Sequence, residues 1–155
     1  MRITIAAVGT RMPAWADQAV QDYLDRFPRD FEVTLKQVRP EARRQQPVQH
    51  SLRGEQARLS AAIAGCDRVV ALDERGSDWT TAHLAQQIGR WRDASEHAAF
   101  LIGGPDGLSE QLKTRAQLKL RLSGLTLPHA LARVVLVEQL YRAWSILANH
   151  PYHRA

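Results

Sequence analysis

Five short apolar or alternating runs, each closed by a turn and separated by helical patterns, leave this sequence few ways to fold. Arg2 to Val8 (RITIAAV) is β-branched and ends at Gly9-Thr10. Phe31, Val33 and Leu35 alternate with Glu32, Thr34 and Lys36, which predicts a strand with one solvated face. Asp67 to Asp73 contains Val69-Val70-Ala71-Leu72, continuous as in a strand covered on both faces. A turn at Asp73-Glu74-Arg75-Gly76 is expected to end it. Ala98 to Ile102 forms the fourth run, and Leu118, Leu120 and Leu122, alternating with Lys119 and Arg121, the fifth. Strands alternating with helical patterns imply an α/β fold: a mostly parallel sheet with helices on both faces.

The helices follow from local signals. Met12-Pro13 opens the first, through about Arg26, with Trp15, Ala19 and Tyr23 as the expected apolar stripe. Arg39 to His50 (RPEARRQQPVQH) lacks periodicity and reads as a mobile loop, whose Arg39, Arg43 and Arg44 either contact phosphates or simply solvate it. Ser51 to about Ala64 is helical, with Leu52, Leu59 and Ile63 on one side and Gly65 closing it. Thr80 or Thr81 caps a helix carrying Leu84, Ile88 and Trp91, and Ser109 caps a short one from Glu110 to about Ala116. The last helix has Pro128 in its first turn. Glu138, Arg142 and Ser145 make its one narrow polar stripe, while Val134 to Val137, Leu140, Tyr141, Trp144, Ile146 and Leu147 cover most of the rest. So wide an apolar arc predicts burial on two sides, by the sheet and by a second subunit. Arg133 interrupts that arc and needs a partner.

Composition narrows the function classes. At 155 residues the chain suits one domain, and 45% apolar with 24% charged residues is ordinary globular content. No run approaches the roughly 18 apolar residues of a membrane span, and MRITIAAVGTRMP reads as a strand and turn, not as a signal peptide. Cys66 is the only cysteine, expected to be a small buried residue in a cytoplasmic protein. A net charge of +5 and a pI of about 10.0 favour a polyanionic partner.

Chemistry concentrates at two glycine loops. Gly103-Gly104-Pro105-Asp106-Gly107 follows the fourth strand, and Ser123-Gly124-Leu125-Thr126-Leu127-Pro128 follows the fifth. Ligands in open α/β sheets sit beyond the carboxyl ends of strands, and Leu72, Ile102 and Ser123 mark three such ends. Neither loop is GxGxxG or GxxxxGK[ST], so a dinucleotide or triphosphate site has little support. His129, His150 and His153 lack the carboxylates or cysteines that complete a metal shell, so no metal is expected.

LIGGPDGLS, the ending LSGLTLPHALARVVLVEQLYRAWSILANHPYHR and the start AVGTRMPAW together resemble the small bacterial ribosomal RNA large-subunit methyltransferases of the SPOUT superfamily. The resemblance spans essentially the whole chain, as a single domain over residues 1–155. It implies methylation of N3 of a pseudouridine in 23S rRNA, on the large subunit or whole ribosome. It also implies a C-terminal trefoil knot, which periodicity cannot show, and a homodimer whose partner tail completes each active site. The implied cofactor is S-adenosyl-L-methionine, lined by Leu72, Gly103, Gly104, Gly107, Ser123, Gly124, Leu125, Thr126, Leu127 and Pro128. The candidate catalytic residues are Tyr152, His153 and Arg154 of the tail, which the resemblance ties to RNA, with Arg133 and with His129, whose place beside the second loop suits either a base or structural support. Tyr152 suits base stacking and Arg154 a phosphate, Arg133 an anion at N3, and His129 a proton acceptor. This chain departs from its relatives at Gly124, where many carry a side chain, and at Asp106, where several have Glu. Two rival readings are a non-catalytic RNA-binding module, its loops mere turns, and a nucleotide-binding enzyme unrelated to methylation.

Overall fold

In the computed structural model, which describes residues 1–43 and 45–154, the chain runs through five strands and five helices. They are β1 (Arg2–Val8), α1 (Ala14–Leu24), β2 (Glu32–Val38), α2 (Val48–Ala62) and β3 (Arg68–Asp78). Then come α3 (Thr81–Asp93), β4 (His97–Ile102), α4 (Glu110–Arg115), β5 (Leu118–Arg121) and α5 (His129–Leu147), with a closing 3-10 turn at Pro151–His153. The sheet order is β2-β1-β4-β3-β5, and every pair is parallel.

Side chains that alternate along the strands divide between two cores. Ile3, Ile5, Ala7, Phe100 and Ile102 pack on the side of α1, α3 and α5, with Val20, Leu84, Ile88, Leu136 and Leu140. Ala6, Val8, Ala71 and Leu101 pack on the side of α2 and α4, with Leu59 and Leu112. The expected layers are therefore present. Thr80 is the cap of α3, its hydroxyl accepting the His83 N–H at 3.1 Å, and Ser109 does the same for Leu112 at 3.2 Å.

Several local expectations are corrected. In α1, which begins behind Pro13, Ala16 and Val20 turn inward while Trp15 stays 53% exposed, because the buried row is one residue out of step with the expected stripe. The turn expected at residues 73–76 is instead a bulge within β3. Leu72 and Ser77 both pair with Leu120, and the four residues between loop outward. Gly76 is required there, since a Cβ would lie 2.7 Å from the Leu120 main chain. Helix α2 starts at Val48, so the basic loop is shorter than its composition suggested, and Leu52 is only half-buried while Ser51 and Glu55 are buried. Cys66 is half-buried too, and burial pushes its thiol above the ordinary value.

Helix α5 shows the largest difference. It wedges between α1 and α3 over the sheet, so its own chain covers much of the apolar arc that was expected to need a second subunit. Ser145 is fully buried and donates to the Arg142 carbonyl at 2.7 Å, so it is no part of a wet stripe. Pro128 caps the helix from outside its first turn. No helix among the described residues is long and apolar enough to cross a membrane.

Candidate active site

The carboxyl ends of β3, β4 and β5 open onto one cavity of about 580 Å³, within the roughly 300–1,000 Å³ usual for ligand pockets. Leu72, Gly103, Gly104, Gly107, Ser123, Gly124, Leu125, Thr126 and Leu127 all line it, joined by His129 from the first turn of α5. Pro128, also expected there, does not line the cavity and serves α5 as its cap. Sequence reading missed Asp73, Glu74, Arg75, Ile102, Pro105, Leu120 to Leu122 and Ala132. Asp73 to Arg75 are within reach of the strand-end rule, but their composition reads only as a turn.

The first loop is tightly folded. The Gly107 N–H donates to the Gly104 carbonyl at 2.9 Å, and Gly107 sits at a φ of 75°. A side chain on Gly103 would collide with the Gly107 carbonyl group, so glycine is what lets the loop close on itself. In the second loop the Leu125 N–H donates to Ser123 Oγ at 2.9 Å, and space stands open around Gly124. On the cavity wall burial pushes the Asp73 carboxyl up, but the Arg75 N–H and the Lys113 ammonium outweigh it and hold the group below its usual range.

Behind His129 lies Arg133, only 1% exposed. Its guanidinium donates to His129 Nε2 at 3.1 Å, Gln37 Oε1 at 2.9 Å, and the Val8 and Gly9 carbonyls at 3.1 and 2.7 Å. Arg133 thus ties the end of β1 to the first turn of α5, and it does not itself line the cavity. Burial, then the neighbouring cation, lower the His129 pKa, against the pull of the Val8 and Gly103 carbonyls. The imidazole is therefore neutral at neutral pH. Its Nε2 lone pair accepts from Arg133, which leaves the proton on Nδ1.

The tail residues do not reach this cavity in their own chain. Tyr152 packs edge-on against Tyr141 with ring centroids 4.7 Å apart, and its hydroxyl lies 3.1 Å from both Tyr23 and Glu138. Arg142 lies over its ring at 5.0 Å. Glu138 is nine residues along α5 from His129, roughly 13 Å at the helical rise. His153 and Arg154 follow at that far end, and the His153 Nδ1 is buried without a hydrogen-bond partner among the described residues. Of the basic loop, Arg43 is held by Glu55 and Asp106 while Arg39 is exposed; Arg44 lies outside the described residues.

Comparison with known proteins fits this geometry. Residues 1–153 match the family model described as "Predicted SPOUT methyltransferase". The chain is 51% identical over 156 residues to proteins named "Ribosomal RNA large subunit methyltransferase H" from Burkholderia mallei, Burkholderia pseudomallei and Burkholderia thailandensis, covering all of this chain and all of each relative. Among solved structures, a probable methylase family protein from Haemophilus influenzae Rd KW20 superposes with a TM-score of 0.63 at 14% identity, over 99% of this chain and 70% of that one. A probable methyltransferase from Bordetella pertussis Tohama I superposes with a TM-score of 0.57 at 14% identity, over 92% of this chain and 95% of that one. A Legionella pneumophila methyltransferase in complex with SAM gives 0.52 at 12% identity, over 92% and 66%. With its glycine-looped cavity at the strand ends and a family match from the first residue to the tail, the chain belongs to the SPOUT methyltransferases.

Proposed function

We propose that this protein transfers a methyl group from S-adenosyl-L-methionine to N3 of a pseudouridine in 23S rRNA. In this reading it acts in the cytoplasm, as a homodimer, on the large subunit or whole ribosome. The observation that carries the reading is the cavity itself: two glycine loops meet there at the ends of adjacent strands, beside a neutral histidine. The name carried by the full-length relatives supports an rRNA substrate, and the net charge of +5 suits one. Family membership likewise supports a trefoil knot around the cavity.

The residues present fit the cofactor. Leu72, Leu125 and Leu127 offer apolar walls, and the two loops offer main-chain donors and acceptors, with open space around Gly124. The ionised Asp73 adds a negative charge to the wall. Bound there, the cofactor supplies an electrophilic methyl group on a sulfonium. The chain's own work is then positioning and exclusion of water, which together account for a large part of the rate in such displacements.

In this reading His129 and Arg133 take parts other than proton acceptor and anion stabiliser. With Nε2 engaged by Arg133 and its N–H beside the Val8 and Gly103 carbonyls, His129 supports the cofactor loop and does not accept the N3 proton. Arg133 acts through His129 and the end of β1, not on the substrate directly. Tyr152, His153 and Arg154 contribute across the dimer, because their own cavity is a long way down α5. Tyr152 keeps its proton: burial and its neighbours Tyr23 and Glu138 push its pKa well above the ordinary value.

The test is methyl incorporation into ribosomes that lack the modification, with and without prior pseudouridylation, beside calorimetric titration with S-adenosylmethionine and with ATP. Incorporation that depends on pseudouridylation, together with binding of S-adenosylmethionine alone, is the expected result. Binding of ATP alone overturns the reading, and binding of neither points to an RNA-binding module. Full activity in a monomer lacking its last six residues would remove the dimeric part.

A further inference from the structure

Behind the first glycine loop, on the side away from the cavity, lies an ionic group that the methyl-transfer reading does not use. Glu55 on α2 is only 2% exposed. Its carboxylate accepts the Glu41 N–H at 3.0 Å and the Arg43 guanidinium at 3.2 Å. A carboxylate buried so deeply needs such partners, and a guanidinium with its planar fork meets the need better than an ammonium. Arg43 then uses its remaining edge: Nε donates to Asp106 Oδ2 at 2.6 Å. The span is 63 residues along the chain and joins the basic loop to the middle of Gly104-Pro105-Asp106-Gly107.

The loop is gripped from behind. Gly104, Pro105 and Gly107 line the cavity while Asp106 does not, so its side chain is directed back toward Arg43. A Cβ on Gly104 would lie 3.5 Å from both Arg43 Nη2 and Glu55 Oε1, which puts the ionic group in contact with the loop's main chain. Helix α2 makes a second tie one residue along, where Ser109 Oγ donates to Gln56 Oε1 at 2.7 Å.

We propose that Arg43, anchored by Glu55 and gripping Asp106, is a positioning residue that holds the Gly103–Gly107 main chain in its cofactor-binding shape. The proposal rests on the reading of the cavity as the S-adenosylmethionine site. An exposed ion pair alone contributes little, and Arg43 is about a third exposed with Asp106. Glu55 changes that by fixing the guanidinium in advance, so the grip on Asp106 costs little further ordering. A fixed loop does not have to be ordered when the cofactor binds. A freed loop does, and the difference appears as cofactor affinity.

The experiment is calorimetric titration of the full chain with S-adenosylmethionine, with thermal melting run on every variant. Asp106→Asn keeps the size of an exposed side chain and removes its charge. It is expected to weaken binding about fivefold, or roughly 1 kcal/mol, with little change in melting temperature. Asp106→Glu restores most of the loss. Arg43→Ala matches Asp106→Asn, and the double variant is no worse than either single one, as for residues acting through one contact. Leu127→Asp serves as the control on the cavity, because it puts a charge on an apolar part of the wall. Wild-type affinity in Asp106→Asn and Arg43→Ala, with binding lost in Leu127→Asp, overturns the latch and leaves the cavity reading standing. Unchanged affinity in a folded Leu127→Asp overturns the cavity reading, and the latch with it. If Arg43→Ala fails to fold, Asp106→Asn and its rescue by Glu carry the test.

Discussion

Replacing Arg133 with methionine keeps the length of a buried side chain and removes the donor to four acceptors at once. Two of the acceptors, the Val8 and Gly9 carbonyls, end a central strand, and a buried acceptor left alone costs about 1–3 kcal/mol. Gln37 is exposed and can turn to water, so it adds little. Against these losses stands relief, since Arg133 is a desolvated cation without a hydrogen-bonded carboxylate; burial already lowers its pKa, and Asp17 opposes that only at a distance. The balance is a loss of about 2 kcal/mol, which for a chain of this size is roughly 4–8 °C in melting temperature. Urea unfolding followed by tryptophan fluorescence should show the lower midpoint with an unchanged slope. Arg133→Lys should lose less than the methionine variant, keeping the charge but not the fork. A second measurement isolates the local effect. With the cation gone, the His129 pKa should rise toward its ordinary value without reaching it, because burial is the larger cause of its depression. A methionine variant as stable as the wild type, with His129 titrating unchanged by NMR, would refute the assignment.

Mild acid should destabilise the fold through two buried histidines. Burial lowers the folded pKa of both His129 and His97, so the unfolded chain takes up protons first. Their contribution is therefore complete above about pH 6.5 and is lost as pH falls on through the depressed folded values. Unfolding free energies measured across that window should slope, and a flat profile would contradict the burial. Tyr152→Phe removes the hydroxyl shared with Tyr23 and Glu138 and should cost about 1 kcal/mol. It should also quicken proteolytic loss of the last residues, and an unchanged digestion rate would show that the rings alone anchor the tail.

The sequence made some of this legible and hid the rest for physical reasons. Val69 to Leu72 and Phe100 to Ile102 read as covered strands because burial on both faces leaves a continuous apolar run. The glycine-loop part of the cavity is legible because strand ends and glycine turns are local signals, whereas Asp73 to Arg75 and Ala132 carry no such signal. Periodicity says nothing of strand order, and nothing of the bulge at residues 73–76, whose cause is close approach to Leu120 from 44 residues away. The contact between Arg43 and Asp106 is invisible for the same reason, and the arginines of that loop read equally as phosphate ligands or as loop solvation. Trp15 misled the reading of α1, since a four-residue spacing is shared by an outward row and an inward one. Arg133 was correctly marked as a charge in need of partners, but its partners are main-chain carbonyls that sequence cannot place.

The strand order also governs how the molecule can be made. β1, the first strand to be made, can pair β2 after a single helix but meets β4 only when most of the chain exists, as the Thr4–His97 contact across 93 residues records. Until β4 is synthesised the nascent chain has an apolar strand with one flank unpaired, so the sheet cannot close in stages from the amino end. A newborn copy of this protein would therefore stay dependent on shielding for most of its translation and then acquire its architecture in one late, cooperative step.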